Sequence, residues 1–367
     1  MLTKTKGLDM KSTFKLIFIA IFATVSFGAL AADWTVTQTA TIETAAPDLK
    51  QGNATNVSNS EQAINGIALN TDEDSLASGS SQLATLTSIT SLNLTQGPNV
   101  DGSSQAINYL EAQNVGTGSG GTTVTQTVTS ESTATTLTQE VGSGGGVGNV
   151  QALNIGKASG TGTINNLNQV ITESGTLSLI QNAVVSAENV QAVNYAFGQT
   201  IGVDDANKLE QATSVTGSTT FSQAATGGDN RQGGNVAVTS DSGTRVAAAS
   251  QAFTASVEIS LTQNMIVGSN DNVQALNQVD TTANAGTVGA VVQTFTNAAG
   301  STTFTSDAGS TTNVQAANLV DTLGSITDLE QTFTATNSAL VDFDMTGGGN
   351  TNIQAGNMAR TDGQHQS

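Results

Sequence analysis

Apolar and polar residues alternate with period two in short bursts along almost the whole chain, and the bursts recur at a steady spacing. In Val124-Thr125-Gln126-Thr127-Val128, Val291-Val292-Gln293-Thr294-Phe295 and Leu329-Glu330-Gln331-Thr332-Phe333, the residues two before and two after a glutamine are apolar. Such alternation marks a β-strand with one buried face. It also puts the glutamine on that face, among the apolar side chains. Gln38, Gln82, Gln126, Gln169, Gln211, Gln251, Gln293 and Gln331 all sit in this place, each with Thr or Ser three residues later.

A second phrase runs between these bursts. Asn149-Val150-Gln151-Ala152-Leu153-Asn154 returns at residues 189–194, 272–277 and 313–318, with looser copies at 60–65, 103–108, 230–235 and 352–357. Its central glutamines are Gln62, Gln105, Gln151, Gln191, Gln232, Gln274, Gln315 and Gln354. Its closing asparagines are Asn65, Asn108, Asn154, Asn194, Asn235, Asn277, Asn318 and Asn357. Successive glutamines are 43, 46, 40, 41, 42, 41 and 39 residues apart, so the chain holds eight copies of a unit of about 41 residues. A third phrase, apolar-x-Gln, appears at Leu49/Gln51, Leu94/Gln96, Leu137/Gln139, Leu179/Gln181, Phe221/Gln223 and Leu261/Gln263, then decays at Phe304/Ser306 and around Leu340. Gly, Ser, Asn and Asp clusters, as at 142–146 and 347–350, separate the bursts. Each unit therefore holds three short strands, and the longest gap, after the second phrase, has room for a fourth.

The expected fold is an all-β solenoid of eight rungs. A lone three-strand unit of this kind cannot bury enough apolar surface to offset its ordering entropy. Stacked in register, every backbone N–H and C=O pairs with the rung above or below, at about 4.8 Å, and eight rungs make a column of roughly 40 Å. A buried glutamine costs free energy unless its amide is bonded. Stacking meets that need, because each amide can bond its equivalent one rung away. Propeller blades share this repeat length but carry Gly-His and Trp-Asp signatures, whereas the chain has only Trp34 and His365. Thr- and Gly-rich alternation does not fit a helical period.

Composition narrows the function. Charged residues are 11% and aromatics 4%, with 39 Gly, two Pro and no Cys. No thiol is available as nucleophile or ligand, and no disulfide framework is needed in an oxidising compartment. Lys11 and Lys15, the apolar run at 16–23 and the small residues before a cut after Ala31 read as a secretory signal peptide over 1–31, with Met10 as an alternative start. The solenoid is expected over 32–360 and a polar tail over 361–367. No later run approaches the length of a membrane-spanning helix. Loss of 1–31 removes Lys4, Lys6, Lys11, Lys15 and Asp9, leaving six basic and 28 acidic residues, a side-chain net charge of −22. That surface repels nucleic acid. It also predicts that subunits repel one another until salt, lower pH or divalent cations screen them.

The alternation in Leu177-Ser178-Leu179-Ile180-Gln181, followed by Asn189-Val190-Gln191-Ala192, resembles curlins and similar bacterial functional-amyloid subunits, at about twice their repeat length. The resemblance implies an extracellular fibre of a biofilm matrix or cell surface, exported with secretion and nucleation proteins. The expected partner is thus the chain itself, adding end to end. Two other readings compete. Thr39/Thr41, Thr127/Thr129, Thr294/Thr296 and Thr332/Thr334 are the paired hydroxyls of an ice- or ligand-binding face, interrupted by Leu83, Val170, Ala212 and Ala252. Asp204/Asp205 and Asp342/Asp344 are the paired carboxylates a polysaccharide-active enzyme would need. They read more simply as acidic turns, and His365 as part of an inert tail. Gly116-Thr117-Gly118-Ser119-Gly120-Gly121 matches a dinucleotide-binding pattern but precedes a strand, not a helix. Asp72-Glu73-Asp74 lacks the spacing of a calcium loop. No catalytic residue, cofactor or metal is expected.

Overall fold

The computed structural model describes residues 21–24, 33–43, 48–51, 57–58, 61–69, 74–87, 91–117, 123–131, 133–141, 148–183, 188–225, 227–239, 245–265, 272–281, 286–308, 312–336, 340–345, 351–361 and 364–366. One coil shows the plan. Val150–Ala158 lies on a first sheet, Thr163–Ile164 and Leu167–Glu173 on a second, and Thr176–Ala183 on a third. The chain then re-enters the first sheet at Val190–Gly198, parallel to Val150–Ala158 with Gln151 opposite Gln191 and Asn154 opposite Asn194. The other coils repeat this path. The three phrases of the sequence are the three sheets, and the fold is a parallel β-solenoid.

The fourth strand exists, and it belongs to the second sheet. It is separate as Ser75–Ala77, Val115–Thr117, Thr163–Ile164 and Thr200–Ile201. In the last three coils it fuses with its neighbour into the long strands Arg245–Ala255, Thr287–Asn297 and Ile326–Ala335. In two of the coils where the two are separate, glycine turns the corner. Gly116 and Gly202 have φ of 79° and 69°, and a Cβ on either would lie within 2.5 Å of the carbonyl oxygen of Asn166 or Ala248.

Alternation fails at one point in each first-sheet strand, and that failure shapes the coil. Gln151 points inward and Ala152 outward, but Leu153 and Asn154 both point inward before Ile155 turns out again. The pairing skips Leu153 and Val193 there. The irregularity bends the strand, as a bulge does. Three packed zones follow. Val128, Leu137, Leu153, Leu179 and Phe221 fill the space between the second and third sheets. Leu110, Ala158, Ile164, Leu167 and Leu209 fill a second zone against the far half of the first sheet. The outward side chains of the two halves, Val150, Ala152, Ile155, Val190, Ala192 and Tyr195, meet in the crook of the bend as a third. Arg231 starts its strand and Asp280 lies opposite Val238, about 23 Å further along if the chain were straight, yet Arg231 Nε is 2.7 Å from Asp280 Oδ2.

Core size is matched within coils. The inward place of Leu153 is Gly234 one coil before Leu276, and a Cβ there would come within 2.2 Å of the Phe253 ring. The missing side chain is the room that phenylalanine occupies, as close packing demands. Phe253, Phe295 and Phe333 then stack one above another at centroid separations of 6.4 and 5.5 Å.

Candidate assembly surfaces

The glutamines and asparagines singled out by their spacing come together as continuous rows. On the first sheet, Gln105, Gln151, Gln191, Gln232, Gln274, Gln315 and Gln354 each donate from Nε2 to Oε1 of the preceding glutamine, beginning with Gln62, at 2.8–3.1 Å. On the second, Gln82, Gln126, Gln169, Gln211, Gln251, Gln293 and Gln331 do the same down to Gln38, at 2.7–2.9 Å. The asparagine row runs the other way. Asn65, Asn108, Asn154, Asn194, Asn235, Asn277 and Asn318 donate from Nδ2 to the following asparagine, ending at Asn357, at 2.7–2.9 Å.

Each amide spends its other N–H on a carbonyl of a different sheet. Gln151 reaches Ile180 O at 3.0 Å, Gln126 reaches Ile155 O at 2.9 Å and Asn108 reaches Thr127 O at 3.0 Å. The rows therefore satisfy themselves along the column and clamp the sheets across it, so the interior amides of these rows carry no desolvation cost. A third-sheet row joins Gln96, Gln139, Gln181, Gln223 and Gln263 at 2.8–2.9 Å. It stops at Ser306, whose buried hydroxyl has no partner. Gln51 is in register with Gln96, but its side chain lies outside the described residues.

A further row of asparagines lies at the opening position of the same phrase. Asn149 donates to Asn189, Asn189 to Asn230 and Asn230 to Asn272, at 3.1, 2.8 and 3.0 Å, and Asn313 donates to Asn352 at 3.1 Å. These residues turn the chain from the third sheet into the first. Their signal was the asparagine that opens the phrase.

Among the described residues, the crook carries three ion pairs: Lys157–Glu111 at 3.4 Å, Arg231–Asp280 at 2.7 Å, and Arg360–Asp321, whose Nε–Oδ1 contact is 2.8 Å. Burial pushes the Glu111 carboxyl up, but Lys157 and the hydroxyls of Tyr109 and Ser159 outweigh it and hold the group below its usual value. Gln278 sits in the same crook with neither amide atom hydrogen-bonded, and nothing in the structure explains it.

The two ends differ from the middle. Phe295, Val291 and Phe304 are at most 1% exposed, whereas their counterparts in the last coil, Phe333, Leu329 and Phe343, are half-buried and Gln354 and Asn357 are exposed. Gln38, Ala40 and Ile42 are half-buried at the other end. Thr37–Ile42 and Ile326–Ala335 are the edges of the second sheet, and Asp48–Gln51 and Leu340–Met345 those of the third. Among the described residues, only the far half of the first sheet is covered at its ends. Ile21–Thr24, inside the expected leader, pairs parallel with Asn65–Ala68, and Gln364–Gln366, in the expected tail, pairs antiparallel with Ala359–Thr361.

The other candidates are placed as follows. Thr41, Thr85, Thr129, Thr172, Ser214, Thr254, Thr296 and Thr334 form one unbroken row of residues on the outside of the second sheet, and the row beside it is interrupted at Leu83, Val170, Ala212 and Ala252. Asp204 closes its own turn, accepting from the backbone N–H groups of Ala206 and Asn207 at 2.9 Å, and these bonds hold its carboxyl low. Asp342 and Asp344 are exposed on the last third-sheet strand. Asp72, Glu73 and residues 118–122 lie outside the described residues, as does the side chain of His365. Among the described residues no group of three or more His, Asp or Glu is placed to hold a metal, and no helix is long and apolar enough to cross a membrane. No known protein family, curated protein or solved structure matches the chain.

Proposed function

We propose that the chain is a secreted structural subunit that assembles end to end into extracellular fibres of a biofilm matrix or cell surface. The observation that carries this reading is the pair of unfinished ends. The second and third sheets stop, among the described residues, at edges with nothing beside them and with half-buried Phe333, Phe343 and Ile42 at the rim. Soluble repeat proteins close such ends with polar caps, because an open strand edge is a template for another chain. A second copy supplies what each end lacks: a strand for each open edge, and an amide for the glutamine and asparagine rows of the first and second sheets. The leader and the likeness to curlin strands support export and accessory proteins for secretion and nucleation.

The test is negative-stain microscopy and fibre diffraction on the purified chain from residue 32 onward. Filaments of uniform width with a meridional reflection near 4.8 Å are expected. A chain that stays monomeric at high concentration refutes the proposal. One observation favours a second reading, a monomer that binds ice or another ordered surface: the unbroken hydroxyl row from Thr41 to Thr334. Thermal hysteresis of the monomer is its test.

A further inference from the structure

We infer that the joint between two copies is polar: the Thr37–Ile42 end of one chain docks only on the Ile326–Ala335 end of another, in the register of the interior coils. This rests on the fibre reading and adds the geometry of its contact.

The inference comes from the direction of the amide rows. Gln38 accepts from Gln82 and gives one N–H to Gly66 O at 2.8 Å, so its other N–H points out of the first coil. Gln331 at the opposite end donates both N–H groups, to Gln293 Oε1 and Met358 O, and leaves its Oε1 facing out. The asparagine row is reversed. Asn65 donates to Asn108 and to Leu83 O, leaving Oδ1 outward, while Asn357 accepts from Asn318, gives one N–H to Gln331 O and keeps one. One end therefore offers a glutamine donor and an asparagine acceptor. The other offers a glutamine acceptor and an asparagine donor in the same two columns. Head to tail, each finds its complement. Head to head, donor meets donor, the strands run antiparallel, and buried amides are left unbonded.

Side-chain size agrees with the same register. Phe333 stands in the column that begins at Ala40, so the largest rim side chain of one end meets the smallest of the other. The contact is heterologous and does not close on itself, which is the geometry of a filament and not of a dimer. The first sheet joins only when Ile21–Thr24 and Gln364–Gln366 give up their places.

The absence of cysteine makes the joint directly testable. Thr41 and Thr334 end one column, on the outside of the second sheet, and become neighbours across the proposed joint. Purified T41C and T334C chains, from residue 32 onward, are mixed, allowed to assemble and oxidised. A mixed Thr41→Cys/Thr334→Cys disulfide is expected to dominate, with same-site disulfides lost to background. Filaments rich in same-site disulfides, or in which neither site cross-links, overturn the polar joint and leave the fibre reading standing. Failure of the unmodified chain to form filaments overturns both.

Discussion

At the scale of single residues, most of what matters was legible because a strand has the shortest period a chain can show. A glutamine flanked two residues away by apolar side chains has to face inward, and eight of them at one spacing have to meet. What escaped is the doublet Leu153-Asn154, where two neighbours face the same way. Read by alternation, one of them is simply out of place, and only coordinates show that the strand bends there. Glu173 is a second departure. It occupies a core place between the second and third sheets, 1% exposed, with one carboxyl oxygen lacking a partner. Burial pushes its pKa up to about 7, against opposing hydrogen bonds from Gly175, Ser130 and Thr135. A carboxyl whose pKa is higher folded than unfolded favours the fold when protonated. Its contribution is complete below the unfolded value of about 4.3 and is lost as pH rises through the folded one. Stability should therefore fall by up to about 3 kcal/mol between mildly acid and mildly alkaline solution. In denaturant titrations, Glu173→Gln should flatten that slope and be the more stable chain at high pH. An unchanged slope in the variant contradicts the assignment.

At the scale of elements, the three main strands were visible, and the fourth was visible only as an unexplained length of chain. The reason is its content. Thr163–Ile164 carries one buried apolar residue, too little to show a period, and the two residues before Leu167 are as many as part Val246 from Ala249 in the fused strand, so corner length does not mark it either. The end strands are where elements bear on assembly. Gln364–Gln366 lies antiparallel on Ala359–Thr361, in the place a parallel strand of the next copy would take. Removing residues 362–367 should speed seeded elongation, by about fivefold for each kcal/mol of pairing given up. Light scattering during seeded growth would measure it, and an unaltered rate would show that the tail is no obstacle.

At the scale of the whole molecule, charge opposes what the ends favour. Of the six basic residues beyond the leader, Lys157, Arg231 and Arg360 are paired in the crook, each with one carboxylate, so the other side chains carry the whole net charge of −22 with only three cations among them. Raising ionic strength shortens the Debye length from about 30 Å at 0.01 M to about 10 Å at 0.1 M, and elongation should quicken over that interval. Rates that stay flat across it would remove repulsion as the brake.

The constancy of one short interval has a consequence for how such a molecule changes over generations. Glutamine and asparagine of the first sheet stand three residues apart in every coil, while coil length varies from 39 to 46. The differences in coil length fall outside the bend, where the three-residue step never changes. Duplicating or losing a whole coil, by contrast, alters neither terminus, so the length of the rod is free to drift in steps of one layer while what it can join to stays the same.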